Sequence, residues 1–232
     1  MAANLTETFL SRSPFFRSLR QSHYTLPIRP EFLTSSSFEI VNPRNHITNT
    51  DKVVQVLPAS AIADLSDETV LALFSAGFFG GFIFGIERFL LNIGGHNILP
   101  SRYTDFERPP DAVTIWNKSD IPTTHLLPKG SSLYGAFTLL DKYIATTPSE
   151  QDASYVDYGF GSDQYMFSGC HRFQITRLPS QPDVEPQVQM ELLHFRCNPR
   201  ENKPSIAEYI ERFHYVYAKA LFADGIQSLA TR

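Results

Sequence analysis

The sequence is poor in the features that mark a disulfide scaffold, a nucleic-acid binder or a nucleotide site. It has two cysteines, Cys170 and Cys197, in 232 residues. Two thiols make neither a disulfide framework nor a metal-ligand set, so both are read as reduced. Basic residues do not outnumber acidic ones: the formal net charge is −4 and the pI is near 6.0. No basic stripe interleaves with aromatics, which argues against a nucleic-acid partner. No G-x-S-x-G, P-loop or dinucleotide glycine pattern occurs. The glycines from Gly77 to Gly85 lack a following Lys-Thr and do not form a phosphate loop. The seven histidines show no H-x-x-x-H spacing, so neither metal nor cofactor is expected. Internal repeats and low-complexity tracts are absent.

Membrane and targeting signals are similarly thin. Val70 to Ile86 carries no charge, but Glu87-Arg88 stops it short of the about 20 apolar residues that a span needs. Gly77, Gly80, Gly81 and Gly85 fit a break between two short helices, about 71–78 and 83–93, better than one continuous span. No stable membrane span is therefore expected. No apolar signal-peptide core is read at the start, so the sequons at Asn4 and Asn117 carry no weight. The Arg- and Ser-rich stretch from Phe9 to Arg20 has the composition of a mitochondrial presequence, but Pro14 is expected to break the helix such a signal requires. A cytoplasmic location is the expectation.

What the chain does have is apolar and aromatic. Hydrophobic residues make up 42% and aromatics 13%, with 19 Phe and 10 Tyr, enough for a sizeable ring-lined core. Residues 1–50, punctuated by Pro27, Pro30 and Pro43, read as an extended N-terminal arm packed on the domain. Residues 51–232 read as a single domain. Lys52 to Leu57 is its first strand, and Ser66-Asp67-Glu68 is a helix start with a cap and early acids. Val113 to Trp116 is a short strand. Ser132 to Thr146 is a strand bent near Gly135, and Pro148 to Ala153 is a turn.

The last third is the most informative. Tyr155 to Gly161, Met166 to Arg177 and Val188 to Cys197 alternate with period two. Phe167, Gly169, His171, Phe173 and Ile175 share one side of the second run. Val188, Met190, Leu192, His194 and Arg196 share one side of the third. A helix from about Ser205 to Leu229 closes the chain. Ile206, Tyr209, Ile210, Phe213, Val216, Tyr217, Ala220 and Leu221 form its apolar stripe. Strands followed by a helix, without alternation of the two, give an α+β class.

Imidazoles on greasy strand faces point to a lined cavity. His171 and His194 are the sharpest candidates for donating a hydrogen bond or moving a proton. Arg196 is placed to orient a ligand oxygen, and Tyr158 to supply a phenolic donor. These four are the candidate catalytic residues. Trp116, Tyr134, Phe137, Phe173, Met190, Tyr209, Phe213 and Tyr217 are the candidate substrate-binding residues. His214, at the edge of the helical stripe, faces the same space.

Four segments carry a resemblance: Leu73 to Gly81, Tyr158 to Asp163, Gly169 to Phe173, and Phe213 to Tyr215. They resemble functionally uncharacterised fungal proteins of secondary metabolism and, more distantly, the helix-grip superfamily of Bet v 1, START and polyketide-cyclase-like domains. The resemblance covers about residues 50–230. It implies a curved antiparallel sheet wrapped around the long C-terminal helix, with the two short helices closing a hydrophobic cavity. The function it implies is a cofactor-independent cyclase or isomerase of natural-product biosynthesis. Such an enzyme would fold a hydrophobic polyketide or terpenoid for ring closure, including the Diels–Alder type. The alternative is a non-catalytic lipid or metabolite carrier. Either takes a hydrophobic small molecule as its partner, and a homodimer is compatible with both.

Overall fold

A computed structural model describes residues 13–25, 28–94, 100–146, 152–179, 182–205 and 208–230, with the side chains of 208–212 left out. Tyr209 and most of the expected turn from Pro148 to Ala153 therefore fall outside the description. In chain order the elements are α1 (Pro14–Gln21), β1 (His23–Thr25), α2 (Ser36–Val41), β2 (Thr48–Pro58), α3 (Asp67–Gly80) and α4 (Gly85–Gly94). There follow β3 (Thr114–Ile115), β4 (Ser132–Leu133), β5 (Phe137–Tyr143), β6 (Ser154–Gly161), β7 (Ser168–Arg177), β8 (Gln187–Cys197) and α5 (Glu208–Ala230). The class is α+β.

All eight strands make one curved sheet in the order β1-β2-β8-β7-β6-β5-β4-β3. Every pairing is antiparallel except β3 with β4. The bend expected near Gly135 separates β4 from β5, where Tyr134 and Gly135 both take positive φ. Both faces of the central strands are buried, which explains why β8 is interior at nearly every position. On the inner face, Val53, Leu139, Val156, Phe173, Met190 and Leu192 pack under α3 and α5. On the outer face, Cys170, Leu193 and Phe195 pack under Phe32, Phe38 and Val41 from the N-terminal segment.

That segment is more regular than expected. The expectation that Pro14 breaks a helix is wrong: Pro14 opens α1, at a first-turn position whose N–H has no intrahelical partner in any case. The described residues between 13 and 41 hold two helices, a strand and a 3-10 turn rather than an extended arm. They cover the side of β7 that carries Arg172, whose guanidinium pairs with Asp157 at 2.7 Å through two nitrogens. The ring of Tyr155 lies 3.8 Å and that of Phe32 4.5 Å from this guanidinium.

The glycine-rich stretch does form two helices, bent by 71° at the break. No single helix among the described residues is long and apolar enough to cross a membrane. α3 is not a short lid, however. Capped by Ser66, it runs through the core with Val70, Leu71, Phe74, Phe78 and Phe79 buried. Its small residues admit α5. A Cβ on Gly77 would stand 2.7 Å from the Asp224 carbonyl and 2.7 Å from Ser228 Oγ. The stripe expected on α5 holds at Leu221 but is rotated elsewhere: Phe213 and Val216 are exposed, whereas Ala218, Phe222, Ile226 and Leu229 are buried. The helix turns its later residues toward α3, whereas Phe213, His214, Tyr217, Ala218 and Leu221 face the cavity.

Gly77→Ala is expected to destabilise the protein by about 1–3 kcal/mol through overpacking against α5. Gly80→Ala, whose Cβ would meet nothing nearer than 3.6 Å, is expected to be neutral or stabilising. Urea unfolding of both variants checks the contrast.

Candidate functional site

Strand register builds the site. Asp51 on β2 is opposite His194 on β8, His194 is opposite His171 on β7, and His171 is opposite Tyr158 on β6. Residues directly opposite share a sheet face, so four polar side chains form a row across four strands. All point inward. Arg196 lies two residues beyond His194 on the same face. From above, α5 brings in His214.

Asp51 organises this row. Its Oδ2 accepts from His194 Nδ1 at 2.8 Å and from His214 Nε2 at 3.1 Å. Arg196 Nη1 stands 3.5 Å from the same oxygen. Oδ1 is buried with no hydrogen-bond partner among the described residues. The imidazoles stack in sequence, with His171 and His194 centroids 4.9 Å apart and those of His194 and His214 4.6 Å apart. Phe160 lies 4.9 Å from His171 and 5.7 Å from His194. Gly169 makes room for that ring, since a Cβ there would stand 2.3 Å from Phe160 Cζ.

Burial sets the charge states. It pushes His194 down to about 4, against the opposing pull of Asp51. It drives His171 well below the ordinary histidine range, and the neighbouring His194 and His214 add to the shift. Burial alone would raise the Asp51 carboxyl, but the His194 and His214 contacts outweigh it and hold the group far below the usual carboxylate range. At neutral pH Asp51 is a carboxylate beside the neutral imidazoles of His194 and His171. Nδ1–H of His194 is given to Asp51, so Nε2 carries the lone pair.

These groups end a cavity of about 430 Å³. Its walls are apolar, with Phe78, Phe84, Leu91, Phe137 and Leu192 among them. Exposure rises from His194 at 1% to Leu90 at 52% and Phe213 at 69%, which places the mouth between α4 and the start of α5. Glu87 also lines the space. Burial raises its carboxyl, against a hydrogen bond from the Tyr217 hydroxyl and the attraction of His214.

His171, His194 and Arg196 thus meet at one end of one cavity, and Phe137, Phe213 and Tyr217 line it. Tyr158 belongs to the row, but its hydroxyl donates to Ser75 Oγ at 3.3 Å in the core under α3. Tyr134 donates to the Phe79 carbonyl at 3.2 Å, and Phe173 and Met190 are buried core; none of the three is in the lining. Trp116 is half-buried beside β3, away from the lining. Comparison of the chain with protein-family models, with curated proteins and with solved structures finds no match. The geometry is what speaks for the site.

Asp51, Glu87 and Phe160 escaped the sequence reading. A strand begun at Lys52 leaves Asp51 outside it. Extended by one residue, the alternation Asp51, Val53, Gln55 would have shown an acid on the inward face.

Asp51→Ala removes the carboxylate from beside the buried Arg196 and is expected to cost about 3–5 kcal/mol of stability, with Asp51→Asn costing less. Chemical denaturation measures both. Glu87 has a raised folded-state pKa, so its ionisation opposes folding and its cost appears as pH rises above the ordinary glutamate value. Glu87→Gln should therefore melt higher than the parent protein at pH 8. Thermal scans should show that gap closing as the pH falls below 4.5, the ordinary value for Glu.

Proposed function

We propose that this chain is a small-molecule enzyme of helix-grip type, a cyclase or isomerase that folds a hydrophobic substrate within the cavity. The observation that carries the reading is a cavity with ring-lined walls and one end where His171, His194, His214 and Arg196 converge, Glu87 being a further charged group in the lining. A volume of about 430 Å³ suits a small organic molecule rather than a peptide or sugar chain. The walls restrict a flexible apolar chain to compact conformers and so lower the entropic barrier to ring closure. The polar end serves an oxygen function of the substrate. Hydrogen bonds from Arg196 or an imidazole N–H stabilise charge developing on a carbonyl. His194 Nε2 is available to accept a proton and return it. A pericyclic closure needs only the first of these roles, and a proton-shuttling cyclisation needs both. Polyketide or terpenoid scaffolds, a fungal biosynthetic setting and a cytoplasmic location belong to the same proposal, supported by the resemblance of the four segments.

A carrier reading has one observation in its favour: most of the wall is apolar, as a passive lipid or metabolite site requires. The two readings separate in one experiment. Purified protein is incubated with acyclic polyene ketones, ring closure is followed by chromatography with mass spectrometry, and occupancy by displacement of anilinonaphthalene sulfonate. The enzyme reading expects accelerated closure that falls about 10²-fold in His171→Phe, with occupancy nearly unchanged. Occupancy without any change in product ratio or rate relative to buffer sinks the enzyme reading and leaves the carrier.

A further inference from the structure

We propose that Asp51, His194 and His214 form a binding site for a divalent first-row transition metal at the closed end of the cavity. The proposal goes beyond the small-molecule reading, since the ion can bind whether or not a substrate is transformed there. One ligand atom from each of the three residues lies within 4.8 Å of the others. The nitrogens of His194 and His214 that face Asp51 are 2.8 and 3.1 Å from its Oδ2. Metal–ligand bonds of about 2.0–2.2 Å put adjacent ligand atoms about 3 Å apart around an ion. The two nitrogens already stand at that distance from the carboxylate oxygen, and they lie within 4.8 Å of each other. Cation binding requires each ligating nitrogen to give up the proton it shares with Asp51, to the other ring nitrogen or to solvent, and nothing is oxidised.

Two further observations point to a missing ligand. Asp51 Oδ1 is buried and takes no hydrogen bond among the described residues. A carboxylate oxygen in that state is costly unless an ion or a water completes it. His171 Nδ1 is likewise buried and takes no hydrogen bond among the described residues, on the ring stacked next to His194. Two imidazoles and one carboxylate favour zinc, cobalt, nickel or iron over calcium or magnesium, which prefer an all-oxygen shell. His194 and His214 both line the cavity while Asp51 lies behind them, so the ion would sit at the cavity wall. An ion held there would act as a Lewis acid on a ligand oxygen.

Arg196 works against the ion. Its guanidinium, 3.5 Å from Asp51 Oδ2, competes for the same oxygen. Affinity should therefore be moderate in the natural chain and tighter once that charge is gone.

The test titrates chelator-treated, full-length protein with Co²⁺ and Zn²⁺, reading stoichiometry by calorimetry and the cobalt centre by its visible absorption bands. One equivalent per chain is expected. His214→Ala, at a half-exposed position that should tolerate truncation, is expected to weaken binding at least about tenfold. His125→Ala, at an exposed loop position, should change nothing. Arg196→Gln should bind more tightly than the parent. Failure to bind stoichiometrically overturns the site, as does binding that His214→Ala leaves unchanged. Because none of these readouts is turnover, their failure leaves the cyclase reading standing. Loss of ring closure in a protein that still binds cobalt would count against that reading alone.

Discussion

A carboxylate buried beneath a sheet must be compensated, and the arrangement around Asp51 follows from that need. Removing a carboxylate from water costs several kcal/mol even after relaxation, so its partners have to be close and correctly oriented. Here they come from three directions: His194 from the neighbouring strand, Arg196 from two residues further along it, and His214 from the closing helix. The strand register between β2 and β8 is thereby tied to the position of α5. Shifting that pairing by one residue would turn Asp51 to the opposite face and leave Arg196 without its carboxylate. The same hydrogen bonds decide the chemistry the cavity presents, because donation from His194 Nδ1 leaves Nε2 as the basic nitrogen of the ring.

The cavity exists because the helices above it are prevented from filling it. α3 and α5 approach closely where Gly77 meets Asp224 and Ser228, with Ser228 Oγ donating to the Leu73 carbonyl at 2.6 Å. Beyond that crossing α3 ends, α4 leaves at 71°, and α5 continues over open space rather than over core. The imidazole row lies beneath that gap. Phe160 reaches the row because Gly169 on the next strand gives its ring somewhere to lie. Small residues at a few positions thus set both the tight crossing and the void beside it.

The regular elements were legible from local pattern. The β6, β7 and β8 runs, the Ser66 cap and the break in the glycine-rich stretch all show in spacing of two or of three to four residues. His171, His194 and Arg196 could be placed on one face by the same reasoning. Their partners could not. Asp51 is 143 residues from His194 and 163 from His214, and only the register of β2 against β8 brings them together. Local histidine spacing is for that reason uninformative about such a cluster. The rotated stripe of α5 has a related cause: periodicity locates an apolar face but does not say which part of it meets core and which overhangs a cavity. On the outer side of β7, Ser168, Arg172, Gln174 and Thr176 are buried despite their polarity, and the N-terminal segment that covers this side supplies Phe32 to the Arg172 guanidinium.

An ionised Asp51 fixes His194 as the Nδ1–H tautomer at the end of an apolar cavity. Nitrogen-15 NMR of the histidine rings in chelator-treated protein at neutral pH tests it directly. The His194 ring should be neutral, with a protonated Nδ1 and an unprotonated Nε2, and should lose that assignment in Asp51→Asn. A His194 found as the Nε2–H tautomer, or one whose ring spectrum is unchanged by Asp51→Asn, would contradict it.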